Sequence, residues 1–237
     1  MSLIGQPRIR RMVVHRGRVV LDWPDGATAR TGQDLVDRTA PFTTHRAPRE
    51  HDTILRQLAD TVGGAATLDQ LPGRPLTALP PAPAEVAGAA ALLADVAGVW
   101  FPDEAAIALR TGLVLAVRRD PALVTDYSPE LLAASTCWAV GHANGLLGPR
   151  RAATQRDVLG RLGIDGYVSQ QGHRVAAAVR PFGMPEPLSP WSTFGRPEQS
   201  VLRLLRLGRP GLLVSSVRHQ LIELRDQARA ERARFLG

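Results

Sequence analysis

The sequence predicts an α+β protein: a small N-terminal β-meander module, then a mainly helical bundle containing a helix-turn-helix. Three observations predict it. The first thirty residues alternate β-rich runs with turn residues, residues 71–84 hold five prolines, and the chain beyond them is rich in Ala and Leu and carries repeated helix start and stop signals. With 237 residues the chain can bury a substantial core, as one fair-sized domain or two small ones.

The elements follow in order. Ile9–His15 and Arg18–Trp23 read as strands around an Arg16-Gly17 turn. Pro24-Asp25-Gly26 breaks the chain, and Ala27–Thr31 reads as a third short strand. A meander this small needs a cover, which short helices near Asp34–Arg38 and Glu50–Val62 supply. The module therefore spans residues 1–70, and the proline-rich 71–84 reads as a linker or extended crossing segment. Helices are expected over Ala84–Val99 and Pro102–Arg119. A further one starts at Ser128-Pro129-Glu130, with Ser as N-cap and Pro at the first helical position. Its sides, through Leu131 to Val140, are almost all small or apolar, which predicts a central buried helix. Thr154-Gln155-Arg156-Asp157 reads as a capping-box-like start, and a second helix follows over Tyr167–Val179. Residues 85–182 make the helical domain. In 183–237, a Pro-rich loop carrying Trp191 and Phe194 and the helices Glu198–Leu207 and Leu212–Phe235 are expected to pack on the bundle.

Composition excludes several mechanisms. The chain has no lysine, so all 29 basic residues are arginine. A Walker-A phosphate loop, a pyridoxal-phosphate Schiff base and a kinase phosphate-pairing site each need that lysine. A single cysteine, Cys137, cannot build an internal disulfide framework or a Cys-rich zinc module, and a reducing cytoplasm is the expected compartment. The first residues have no apolar signal core, and no 18-residue run is free of charges and breakers, so no membrane association is expected. The net charge of +7 is unevenly placed. Residues 1–50 hold nine Arg against five acids, 51–150 six against ten, 151–200 six against four and 201–237 eight against three, giving balances of +4, −4, +2 and +5. A GC-rich genome accounts for the missing lysine but not for that distribution. Local positive excess attracts phosphate backbones.

Residues 154–180 carry the functional expectation. Val158, Leu159 and Leu162 face a partner helix, and Gly163 permits a tight reversal, as in a helix-turn-helix. On the second helix Val168, Gly172, Val175 and Val179 make one narrow buried stripe. The other side then presents Gln170, His173 and Arg174, with Ser169 on the flank. Gln and Arg read adenine and guanine edges bidentately in the major groove. Arg150, Arg151, Gln155 and Arg156 lie upstream, the arginines placed for phosphates. The pattern departs from ordinary units in one respect: Asp165-Gly166-Tyr167 supplies one residue too few between Ile164 and Val168-Ser169.

The run Ser128-Pro-Glu-Leu-Leu-Ala-Ala-Ser-Thr-Cys-Trp-Ala-Val-Gly-His-Ala-Asn-Gly-Leu-Leu147, followed by Thr154–Val179, resembles the cyclin-like repeat of transcription factor IIB. There a buried Ala-rich helix precedes an Ile-Ala-x-x-x-Gly-Val-Ser-x-x-Thr-Val helix pair. It is also similar to an uncharacterised bacterial domain family with the same buried helix, an Asn near its end and a terminal helix-turn-helix. The likeness covers about residues 94–182 and rests on Ala, Leu and Gly. It implies a five-helix bundle with a nucleic-acid or protein-binding face, and it carries over no catalytic residue.

Other chemistry is weaker. Cys137-Trp138 resembles the nucleophile region of papain- or transglutaminase-like folds, but Cys137 falls mid-helix among small residues, with no positive neighbour to lower its pKa. His142 reads as a core histidine, and His45 and His51 lack a third metal ligand. Gly160-x-x-Gly163-x-x-Gly166 lacks the strand and spacing of a dinucleotide loop, and Asp103-Glu104 reads as a helix start. Leu213, Val217, Leu221, Leu224 and Ala228 form a stripe that suits either a homodimer seam or packing within the chain, two heptads being short for a seam. The expectation is a cytoplasmic regulatory protein that binds double-stranded DNA, with no enzymatic activity, cofactor or metal. The alternative is a non-enzymatic protein-interaction scaffold on the same fold.

Overall fold

The computed structural model describes residues 11–15, 18–22, 49–182, 201–202 and 204–236. It overturns the α+β expectation, because the described residues from Arg49 onward are mainly helical and contain no sheet. From Arg49 onward the described residues form helices and turns, with one isolated bridge pairing Leu147 and Ala153. The chain divides into compact units at Pro48 and Arg49, a point that does not coincide with the expected linker at 71–84. In the N-terminal unit the described residues are two five-residue segments, Arg11–His15 and Arg18–Asp22, which pair antiparallel with Val13 opposite Val20. Two paired segments make neither a meander nor a β-layer with a core of its own. The expected third strand at 27–31, the helix at 34–38, the loop carrying Trp191 and Phe194, and residues 198–200 lie outside the described residues.

The helical unit is built around one buried helix. We number its helices α1 (Glu50–Val62), α2 (Ala65–Asp69), α3 (Ala87–Trp100), α4 (Asp103–Arg119), α5 (Ala122–Asp126), α6 (Pro129–Ala143), α7 (Gln155–Arg161), α8 (Ser169–Val179) and α9 (Ser215–Leu236). Ser128 caps α6 by accepting the Leu131 amide, and Pro129 occupies the first helical position. Leu132 to Gly141 and Ala143 are all buried, so α6 has no wet face. Helices α3, α4 and α8 pack around it. Small residues set how closely they approach: a methyl group added at Gly172 of α8 would collide with the Trp138 indole of α6.

The flanks are tied down by polar residues. Buried Asn144, just past α6, donates from Nδ2 to the carbonyls of Val140 (2.9 Å) and Leu212 (2.7 Å) and accepts the Val214 amide at 2.7 Å. Glu104, in the first turn of α4, accepts the Leu76 amide (2.7 Å) and both the amide and hydroxyl of Ser215 (2.8 and 2.6 Å). Arg218, almost fully buried, pairs with Glu104 at 2.9 Å and donates to the carbonyls of Leu213 and Arg74. The proline-rich stretch is thereby fixed to the body, and α9 is anchored at its start. Helix α1 packs along α9. The run Leu204–Leu207, expected to be helical, is not. The Leu205 amide donates to His142 O, and the amide of Gly208, just after the run, donates to Thr61 O.

Candidate nucleic-acid interface

Helices α7 and α8 are joined by a seven-residue turn, Leu162–Val168. Thr154 and Asp157 close a full capping box at the start of α7: Thr154 Oγ1 accepts the Asp157 amide and Asp157 Oδ2 accepts the Thr154 amide. The Thr154 amide first, and then the Thr154 hydroxyl, both donating to Asp157 Oδ2, hold the Asp157 carboxyl below the usual carboxylate range. The chain reverses at Gly163 (φ 67°) and Gly166 (φ 101°), both in the left-handed region where a side chain is disfavoured. Val158, Leu159 and Leu162 are buried on one side of the turn, and Val168, Gly172, Val175 and Val179 on the other.

Ser169, Gln170 and His173 are exposed on the opposite side of α8, and the first turn of α8 holds no acidic residue and no side-chain cap. Arg150, Arg151 and Arg156 are exposed, while Gln155 is half-buried. Arg174 departs from its expected role as a base reader. Its Nε donates to Asp120 Oδ2 at 2.9 Å, Nη2 to Asp120 Oδ1 at 3.3 Å, and Nη1 to Asp126 Oδ2 at 2.6 Å. The guanidinium also lies 5.3 Å from the Tyr127 ring centroid. Those carboxylate bonds, Asp120 first, raise its pKa further and commit it to bridging α8 to the ends of α4 and α5. Arg161 is likewise bidentate to Asp95, at 2.7 Å on both arms. The three upstream arginines make no salt bridge among the described residues, though the charge of Arg156 acts on the neighbouring Asp157.

Trp138 links this face to the core. The rings of His142 and His173 lie 4.9 and 4.6 Å from it, centroid to centroid. Burial, and then the charge of His173, push the His142 pKa down. Cys137 is buried, and burial alone pushes its thiol up to about 12, so it holds no thiolate at neutral pH. His51 is buried, with Phe235 5.6 Å from its ring. His45 lies outside the described residues. Among those residues no cluster of three metal-ligating side chains occurs, and no helix is long and apolar enough to cross a membrane.

Sequence reasoning missed three features. Glu104, read as a plain helix start, joins Leu76, Ser215 and Arg218, which come from segments more than twenty residues away. No local signal in the sequence pointed to Arg218 as its buried partner. Asn144 was legible only through the family resemblance. Tyr167, 89% exposed at the entrance to α8, carried no signal beyond its place next to Gly166. The proposed dimer stripe is covered within the chain: Leu213, Val217, Leu221 and Ala228 are buried. Comparison with protein-family models, with curated proteins and with solved structures gives no match.

Proposed function

We propose that the protein binds double-stranded DNA in a regulatory role, with α8 entering the major groove and Arg150, Arg151 and Arg156 on phosphates. The observation that carries this reading is the division of α8: its apolar stripe is buried against α6 and α4, while Ser169 and Gln170 at its N-terminal end face solvent. Recognition helices contact base edges with their N-terminal residues. An uncapped first turn also favours a nearby phosphate. Base reading then rests on Gln170, with Ser169 and His173 beside it, and Arg174 acts from behind by fixing α8 to Asp120 and Asp126. The cyclin-like resemblance belongs to the same reading, supported by a buried central helix ringed by α3, α4 and α8.

Fluorescence anisotropy on a labelled duplex over a salt series tests it. Log affinity is expected to fall linearly with log salt, and Arg150→Gln/Arg151→Gln/Arg156→Gln is expected to reduce that slope by about three. Gln170→Ala is expected to leave the slope unchanged and to flatten discrimination among sequences by roughly 1–3 kcal/mol. Absence of binding at low salt would overturn DNA binding. The scaffold reading would then stand, favoured by the exposed rings of Tyr167 and Phe182.

A further inference from the structure

Among the described residues, one face of α4 is covered by the short 3-10 turn Pro210–Leu212 and not by an α-helix. Ile107, Thr111 and Leu115 recur every four residues and remain half-buried, in a stripe about 12 Å long at 1.5 Å per residue. They floor two adjoining hollows of about 340 and 380 Å³, which share Thr111, Pro210 and Gly211. Pro72, Pro75 and Leu76 wall the first, and Val62, Thr67 and Leu212 wall the second. Both hollows are open to solvent on one side. The first wall is preset: Glu104 holds the Leu76 amide, Arg218 holds the Arg74 carbonyl, and the prolines fix their own φ.

The charged side chains in the lining of this groove are arginines. Arg74 and Arg218 line the first hollow and Arg209 the second, and among the described residues no Asp or Glu lines either. Glu104 answers Arg218. Arg209 Nε is engaged by the Val179 carbonyl at 2.6 Å. Arg74 is exposed and makes no salt bridge among the described residues. A floor of Ile107, Thr111 and Leu115 with the exposed Arg74 in the lining of the first hollow suits a molecule with a hydrocarbon body and one planar anionic end. A guanidinium matches a carboxylate in a two-bond fork.

We propose that this groove binds an unbranched aliphatic carboxylate, its chain along Ile107, Thr111 and Leu115 and its carboxylate on Arg74. The proposal is independent of DNA binding. Calorimetric titration of the full chain with decanoate, below the concentration at which it forms micelles, tests it, with decanol as the uncharged control. Decanoate is expected to bind one to one and at least tenfold more tightly than decanol. Arg74→Gln is expected to weaken decanoate about tenfold, and Thr111→Trp, which fills the shared middle of the groove, to abolish its binding. A photoreactive decanoate analogue gives a second readout that needs no variant: labelling is expected on residues 72–78, 107–115 or 208–212. Absence of decanoate binding, equal affinity for decanol, unchanged affinity in Arg74→Gln, or labelling elsewhere would each overturn the proposal.

Discussion

His142 and Gln170 show how environment assigns roles that residue type leaves open. His142 touches Trp138 and is mostly covered, and its folded pKa lies below the ordinary imidazole value because burial disfavours the cation. The unfolded chain therefore takes up a proton first. Stability is expected to be full above about pH 6.5 and to decline as pH falls through that value toward the lower folded pKa. Thermal melts between pH 7.5 and 5 check this: Tm should drop with acid, and His142→Gln should flatten the drop. An equally steep decline in the variant would place the titrating group elsewhere. Gln170 and Arg174 sit one turn apart, yet the first is exposed and the second is held by two aspartates. The helical phase put both on the outer side of α8; only the positions of Asp120 and Asp126 separated them.

Among the elements, the seam between α6 and α8 is the most demanding. Gly172 lies against the Trp138 ring with no space for a Cβ. Gly172→Ala is expected to push the helices apart and to cost about 1–3 kcal/mol, in the manner of an overpacked core, despite alanine's higher helix propensity. Urea denaturation measures it. A gain in stability, as expected for a surface glycine in a helix, would mean the seam is loose. Helices with strong local signals were legible: Ser128-Pro129 at the start of α6, and the Thr154–Asp157 box at the start of α7. Leu204–Leu207 is also rich in helix formers and is not helical; the Leu205 amide and the Gly208 amide just after it bond to His142 and Thr61 across the fold. Propensity is a small term beside a buried hydrogen bond that would otherwise be lost.

For the whole molecule, long-range polar ties decide which segments belong together. Asn144 joins the end of α6 to residues 212–214, nearly seventy positions on. Asn144→Ala is expected to strand the Val214 amide and Leu212 carbonyl in a buried setting and to cost about 1–3 kcal/mol. Denaturation gives the loss, and hydrogen exchange should quicken first at Val214. Exchange that rises uniformly over α6 and α8 instead would mean that Asn144 supports the bundle rather than this junction. The Glu104–Arg218 pair does the same for the proline-rich segment, which composition presented as a linker and which the fold holds against α4 and α9.

The sequence by itself determined the helical bundle from Ala87 to Val179, the burial of α6, and the face that α8 hides, because each is written in periodicity and caps that act within a few residues. It could not determine the fold class, since short β-rich runs near the N-terminus look alike whether or not they belong to a larger sheet. Nor could it assign Arg174, Glu104 and Arg218, or reveal the groove on α4. Those depend on groups brought together from distant positions, and a charge finds its partner only when packing sets them within hydrogen-bonding distance.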